Sequence, residues 1–172
     1  MTLRYNHHRI NDSQIGIYQG RVRYMQFLDT NFLKDEEIKL VVKKLADADP
    51  SRNWVPAYHF QICNLQGDIM GECDLRIGYT DGLYYGGHIG YAIKEEYRGH
   101  HYAAKACKLL FSLAQKHDMP YLYITCNPDN WASRKTCEYL QGSYLGIAEL
   151  PEDSDMRINE GETQKCIFKF TL

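Results

Sequence analysis

The chain has 172 residues, 44% hydrophobic and 24% charged. That is enough for one compact domain and unlike a disordered or collagen-like polymer. Lys and Arg number 20 against 22 Asp and Glu, so the net charge of −2 lacks the basic excess of a nucleic-acid binder. No apolar stretch approaches membrane-span length, and residues 1–8 carry no leader pattern, so no membrane contact is expected. The six cysteines form no Cys-x-x-Cys pair. Free thiols in a reducing cytoplasm are expected, rather than a zinc or redox motif.

The segment to about Gly20 is polar and shows no clear period. Asp35 reads as an N-cap, with Glu36 and Glu37 in a first turn and Ile38, Val41, Val42 and Leu45 at helical spacing. Pro50 and Asn53 close that unit. Tyr58 to Leu65 reads as a strand, Gly67-Asp68 as a turn, and Ile69 to Ile77 as an alternating strand, together a hairpin. Ile69, Gly71, Cys73, Leu75 and Ile77 share one face; Met70, Glu72, Asp74 and Arg76 share the other. Thr80-Asp81-Gly82 is a turn, and Tyr84 to Ile93 reads as a third strand interrupted by glycines.

A long helix is predicted from about Arg98 to His117, with Ala103, Ala106, Cys107, Leu110 and Ala114 as its apolar stripe. Tyr121 to Cys126 is a short strand. Asn127-Pro128 reads as the cap and first residue of a helix running to about Leu140 and ended by Gly142. Tyr144 to Leu150 and Cys166 to Leu172 are late strands joined by an acidic loop. The order predicts an α/β (α+β) domain with a mixed, mostly antiparallel sheet flanked by helices.

The segment Arg98-Gly99-His100-His101-Tyr102-Ala103 joins a strand to that long helix. A helix amino terminus offers unpaired N–H groups and the positive end of its dipole, so this turn suits a pyrophosphate. The plainer alternative is an entry turn with an exposed His pair. The stretch Gly87 to Ala103 resembles the fourth strand and acyl-CoA-binding motif, Arg/Gln-x-x-Gly-x-Gly/Ala, of the GNAT superfamily of acetyl-CoA-dependent N-acetyltransferases. Arg98 matches its first position and Ala103 its last, while His101 replaces the middle glycine. Thr125 to Lys135 is similar to the family's Asn-x-x-Ser motif, through Asn130 and Ser133. Glu138 to Gly142 resembles the close of that helix with one extra residue. The match spans roughly residues 58 to 150 and leans towards the ribosomal-protein alanine acetyltransferase-like branch.

The resemblance implies a single acetyltransferase domain over residues 1–172, splayed between its fourth and fifth strands, with acetyl-CoA as cosubstrate. It places Ala92 and Ile93 beside the pantetheine arm through backbone atoms. It places Arg98, Gly99, His100, His101, Tyr102 and Ala103 at the phosphates, and Asn130 and Ser133 along the arm. Transfer to a primary amine needs a base. Three candidates stand: His88, whose ordinary pKa suits proton removal near neutrality; Glu72, beside Asp74 on the polar face of the hairpin; or an ordered water. The family's helix tyrosine acid corresponds to Cys137, which leaves the acid open. The acceptor would be a small molecule or a protein amino terminus, reached by direct transfer in a ternary complex. Two rivals are a CoA-binding module without catalysis and a thioester hydrolase using Cys126. The pairs His7-His8 and His100-His101 point apart locally, so no metal is expected. The acidic segment Glu149 to Asp155, with Glu160 and Glu162, would attract a cationic substrate or simply be a solvated loop. An exposed late-strand edge would permit a homodimer.

Overall fold

The computed structural model describes residues 15–18 and 21–172, with side chains from residue 25 onward. The His7-His8 pair lies outside them. Strands β1 (Ile15–Tyr18) and β2 (Arg21–Tyr24) pair with each other in antiparallel fashion. Next come β3 (Ile38–Ala46), β4 (Ala57–Asn64) and β5 (Ile69–Arg76). After helix α1 (Asp81–Gly86) and β6 (Ile89–Ile93), these strands form an antiparallel sheet in the order β3-β4-β5-β6. Helix α2 (Tyr102–Lys116), β7 (Tyr121–Cys126), α3 (Trp131–Tyr139), β8 (Ser143–Glu149), α4 (Asp155–Glu160) and β9 (Gln164–Thr171) follow. Their strands form a second antiparallel sheet, ordered β7-β9-β8.

The core lies between the first sheet and α2. Tyr58, Phe60, Ile62 and Leu75 are sealed against Ala106, Cys107, Leu110, Leu113 and Ala114 of the helix. The predicted stripe is therefore observed except for Ala103, which is half-buried. All six cysteines are unpaired and buried.

Several expected elements differ. Residues 38–46 form β3 instead of a helix. Asp35 does accept the N–H groups of Glu37 and Ile38, but this closes a turn into a strand. Ile38 and Leu40 are buried in alternation, and the β-branched run pairs with β4 along its length. Tertiary pairing has overridden the apparent helical spacing. The first half of the predicted third strand is α1, leaving β6 only Ile89–Ile93. Met70 is core, because a register shift between Ile62 and Cys63 turns it inward while Ile69 becomes exposed. Asn130, and not Asn127, caps α3: its Oδ1 accepts the Ser133 N–H at 3.0 Å. The acidic loop contains α4.

Candidate active site

β6 and β7 sit side by side but share no ladder. At the start of β6 they are joined through His88. Its N–H donates to the Tyr123 carbonyl at 2.7 Å, and the Tyr123 N–H donates to His88 Nδ1 at 2.9 Å. Nε2–H donates to the Gly78 carbonyl at 3.1 Å. That pattern requires the neutral Nε2–H tautomer. The residue is 0% exposed, and burial pulls its pKa down to about 4. Both ring nitrogens are committed to main-chain groups, so His88 offers no lone pair to a substrate. It is the pin at the base of the split. α1 braces the same end, with Thr125 Oγ1 donating to the Tyr85 carbonyl at 2.7 Å.

Beyond this pin the strands part into a cleft of about 740 Å³. One wall is β6 and the loop into α2; the other is β7 and α3. Ala92, Ile93, Arg98, Gly99, His101, Tyr102, Ala103, Asn130 and Ser133 all line it. His100 does not; its ring stacks on Tyr102 instead.

The ladder refines the backbone reading. Arg76 N–H donates to the His88 carbonyl and Lys94 N–H to the Met70 carbonyl. Antiparallel alternation then turns the main chain of Gly90 and Ala92 towards β5. A Cβ placed on Gly71 would meet the Ala92 carbonyl oxygen at 2.3 Å, which agrees. The N–H and C=O groups facing the cleft are those of Tyr91 and Ile93. Ala92 contributes wall, not backbone hydrogen bonds. The Ile93 carbonyl already receives Arg98 Nε at 3.2 Å, which holds the guanidinium at the mouth.

His101 precedes α2 at φ 58° and ψ 19°, in the left-handed region. The position therefore favours glycine, the residue that the resembled motif carries there. Its ring stacks on Tyr139 of α3, centroids 4.5 Å apart, spanning from the α2 loop to the far wall. Gly99 lies at φ 84°, and a Cβ there would meet nothing within 4 Å, so open space surrounds this backbone. Unpaired helix-start N–H groups, Arg98 and this open backbone fit a polyanion.

Glu72 does not line the cleft. It stands on the sheet face away from α2, ion-paired with Lys43 at 2.5 Å, beside a separate hollow of about 390 Å³. Asp74 on that face pairs with Arg76 at 3.1 Å. A Cβ on Gly90 would lie 2.7 Å from Asp74 Oδ1, so the bare backbone there makes room for the carboxylate.

Glu162 is the carboxylate that does line the cleft, and among the described residues no other lining side chain is acidic. It comes from the segment between α4 and β9. Its oxygens meet Lys165 Nζ at 2.5 Å and Asn127 Nδ2 at 2.7 Å; Lys165 also donates to Asn127 Oδ1 at 2.8 Å. Burial pushes the Glu162 pKa up, but the hydrogen bonds from Lys165 and Asn127 and the Lys165 charge outweigh it. The net direction is down, so the group is anionic at neutral pH. Its sequence context, one acid among several in a charged stretch, conceals this placement.

Cys126 ends β7 at the cleft wall. Burial pushes its thiol up to about 11, away from the thiolate a nucleophile needs. This weakens the hydrolase alternative. Cys137 is 0% exposed, and burial pushes it up to about 12. Above it, Tyr91 reaches from β6 to place its hydroxyl 2.8 Å from Ser133 Oγ.

Two antiparallel sheets that part between β6 and β7, with a polyanion seat at a helix start between them, form a cleft of the kind that suits an acyl-CoA. The model of the acetyltransferase (GNAT) domain matches residues 8–141, and the chain belongs to that family. No curated protein matches the chain. Among solved structures it is similar to the ribosomal-protein-S5-alanine acetyltransferase from Vibrio fischeri, at 19% identity and TM-score 0.53, over 67% of this chain and 61% of that one. It is also similar to the Salmonella typhimurium acetyl transferase that modifies the N-terminal serine of the 50S subunit protein L7/L12, at 18% identity and TM-score 0.52. That match covers 71% of this chain and 66% of the other. A ribosomal L7/L12 α-N-protein acetyltransferase in complex with coenzyme A aligns at 18% identity and TM-score 0.52, over 71% of this chain and 64% of that one. The chain thus spans about three-fifths to two-thirds of the length of these structures.

Proposed function

We propose that this protein is an N-acetyltransferase that moves an acetyl group from acetyl-CoA to a primary amine by direct transfer in a ternary complex. The observation that carries this reading is the free β6 edge at Tyr91 and Ile93, opening beside the Arg98–Ala103 turn. Bound there, acetyl-CoA supplies an activated acyl carbon. The exposed N–H groups of Tyr91 and Ile93 are the donors available to the developing oxyanion. The cleft fixes donor and acceptor side by side, which by itself supplies a large share of the rate.

Glu162, held by Lys165 and Asn127, is a candidate electrostatic anchor for the acceptor. A carboxylate held anionic in the cleft draws in an ammonium group, and an ordered water takes its proton as the amine attacks. His88 is not assigned as the base, since its nitrogens are occupied, nor is Glu72, which stands outside the cleft. The similar structures of L7/L12 acetyltransferases, one of which modifies an N-terminal serine, favour a protein α-amine as acceptor. Six unpaired cysteines support a cytoplasmic setting. The exposed β8 side chains Tyr144, Leu145 and Ile147 support pairing of two copies along that edge.

Calorimetry with acetyl-CoA tests the cofactor assignment first. Mass spectrometry over a panel of amines, including peptides beginning with Ser or Ala, then tests transfer. Saturable binding and an acetylated amine are expected, with Glu162→Gln raising the KM for the amine about tenfold at unchanged acetyl-CoA affinity. No binding to folded protein overturns the assignment. Binding without turnover across the panel leaves a CoA-binding module instead.

A further inference from the structure

We propose that Tyr91 is a positioning residue, whose phenol holds the Ser133 hydroxyl so that its proton faces the sulfur of bound CoA. This inference rests on the acetyl-CoA reading above. Two elements meet here across the cleft. Tyr91 belongs to β6, and Ser133 to the first turn of α3, where its N–H is fixed by Asn130 Oδ1 at 3.0 Å. Their hydroxyl oxygens lie 2.8 Å apart, Ser133 is 9% exposed, and both residues line the cleft.

Two neighbours on α3 do not compete with the pair. Thr136 Oγ1 spends its proton on the Ala132 carbonyl at 3.0 Å. Cys137, at the place where the family resemblance puts a tyrosine, is sealed and holds its proton tightly. The hydroxyl that α3 lacks at Cys137 therefore arrives from the opposite strand.

A pair of hydroxyls has two orientations. Ser133 can donate to Tyr91, or Tyr91 can donate to Ser133 and leave the Ser133 proton free. Negative charge building on sulfur selects the second. Ser133 O–H then donates to sulfur and Tyr91 O–H donates to Ser133 Oγ. Burial pushes the Tyr91 pKa up, so the phenol keeps its proton throughout. When the acyl carbon–sulfur bond breaks, the electron pair stays on sulfur, and neither hydroxyl loses its proton. The two hydrogen bonds polarise one another and carry the charge until solvent protonates the thiolate.

The test titrates the thiol of bound CoA by its ultraviolet thiolate absorbance, with the desulfo-CoA complex as blank. In wild-type protein the bound thiol should titrate about one pH unit below free CoA. Tyr91→Phe should return most of that shift while CoA affinity stays within about twofold, since the phosphates are held elsewhere. In a Ser133→Ala background, Tyr91→Phe should add nothing. A fluorinated tyrosine at position 91 preserves the packing and should lower the thiol pKa further, which keeps the test open if Tyr91→Phe fails to fold. An unshifted thiol in wild-type protein overturns the inference. So does a shift indifferent to Tyr91, or a Tyr91→Phe effect that persists without the Ser133 hydroxyl. Failure of CoA to bind wild-type protein strikes the cofactor reading itself and removes this inference with it.

Discussion

The two ends of β6 put the same kind of backbone to opposite uses. At its start, one histidine satisfies three main-chain groups on two other segments, and the sheets are locked together. Four residues on, the main chain of Tyr91 and Ile93 has no strand to pair with, and the edge is left for a ligand. A polar residue buried at full satisfaction is a fastener; a polar edge left unsatisfied in a cleft is a receptor. The contrast explains why His88, chemically the most attractive base in the sequence, is the wrong group for that work.

The severest way to break the pinned end is His88→Leu. It strands the Tyr123 N–H and the Gly78 carbonyl in the core, and should cost about 3 kcal/mol by urea denaturation. Acid should act next, at this end through His88 and at the C-terminus of α2 through His117, whose Nε2 lies 2.8 Å from the Tyr58 hydroxyl. His88 and His117 both have folded pKa values lowered from 6.5 to about 4, chiefly by burial. The unfolded chain therefore binds more protons between those values. Stability is full above about pH 6.5 and is lost as pH falls towards 4, by roughly 3 kcal/mol for the fully buried His88 and by less for the partly exposed His117. Denaturation curves across that window should steepen less with acid in His88→Asn, which removes one of the two titrations.

The open end responds through affinity. Arg98→Ala should weaken acetyl-CoA binding about tenfold in calorimetry while leaving the denaturation midpoint in place. His101→Gly should matter least to stability. Relief of a left-handed non-glycine backbone, about 1 kcal/mol, is offset by loss of the Tyr139 stack and by the freer unfolded chain, so thermal melts should differ by less than about 1 kcal/mol. A large loss at His101 and none at His88 would invert the comparison.

Much of this contrast was legible in the sequence, because the cofactor side is built from contiguous stretches. Arg98 to Ala103 and Asn130 with Ser133 each come from one short segment whose local geometry sets their role. The helix N-terminus, the Tyr121–Cys126 strand and the apolar stripe of α2 follow from spacing. What stayed hidden depends on partners distant in the chain. Residues 38–46 carry a helical spacing and a strand composition at once, and only β4 decides between them. Asp35 binds the same N–H groups whether it opens a helix or a turn. Glu162 reaches the cleft because β9 pairs with β7, bringing residues 126 and 166 into register. His88 suits a base only by the ordinary pKa of a free imidazole, and burial, invisible in the sequence, moves it out of range.

The thiols have a consequence of their own. None of the six is exposed, but they differ in depth: Cys107, Cys137 and Cys166 are at 0%, Cys126 at 5% on the wall of the cleft. The chain thus carries a native set of chemical clocks. The rate at which a thiol reagent consumes the deepest ones measures how often the whole molecule opens, while Cys126 keeps time for the cleft alone.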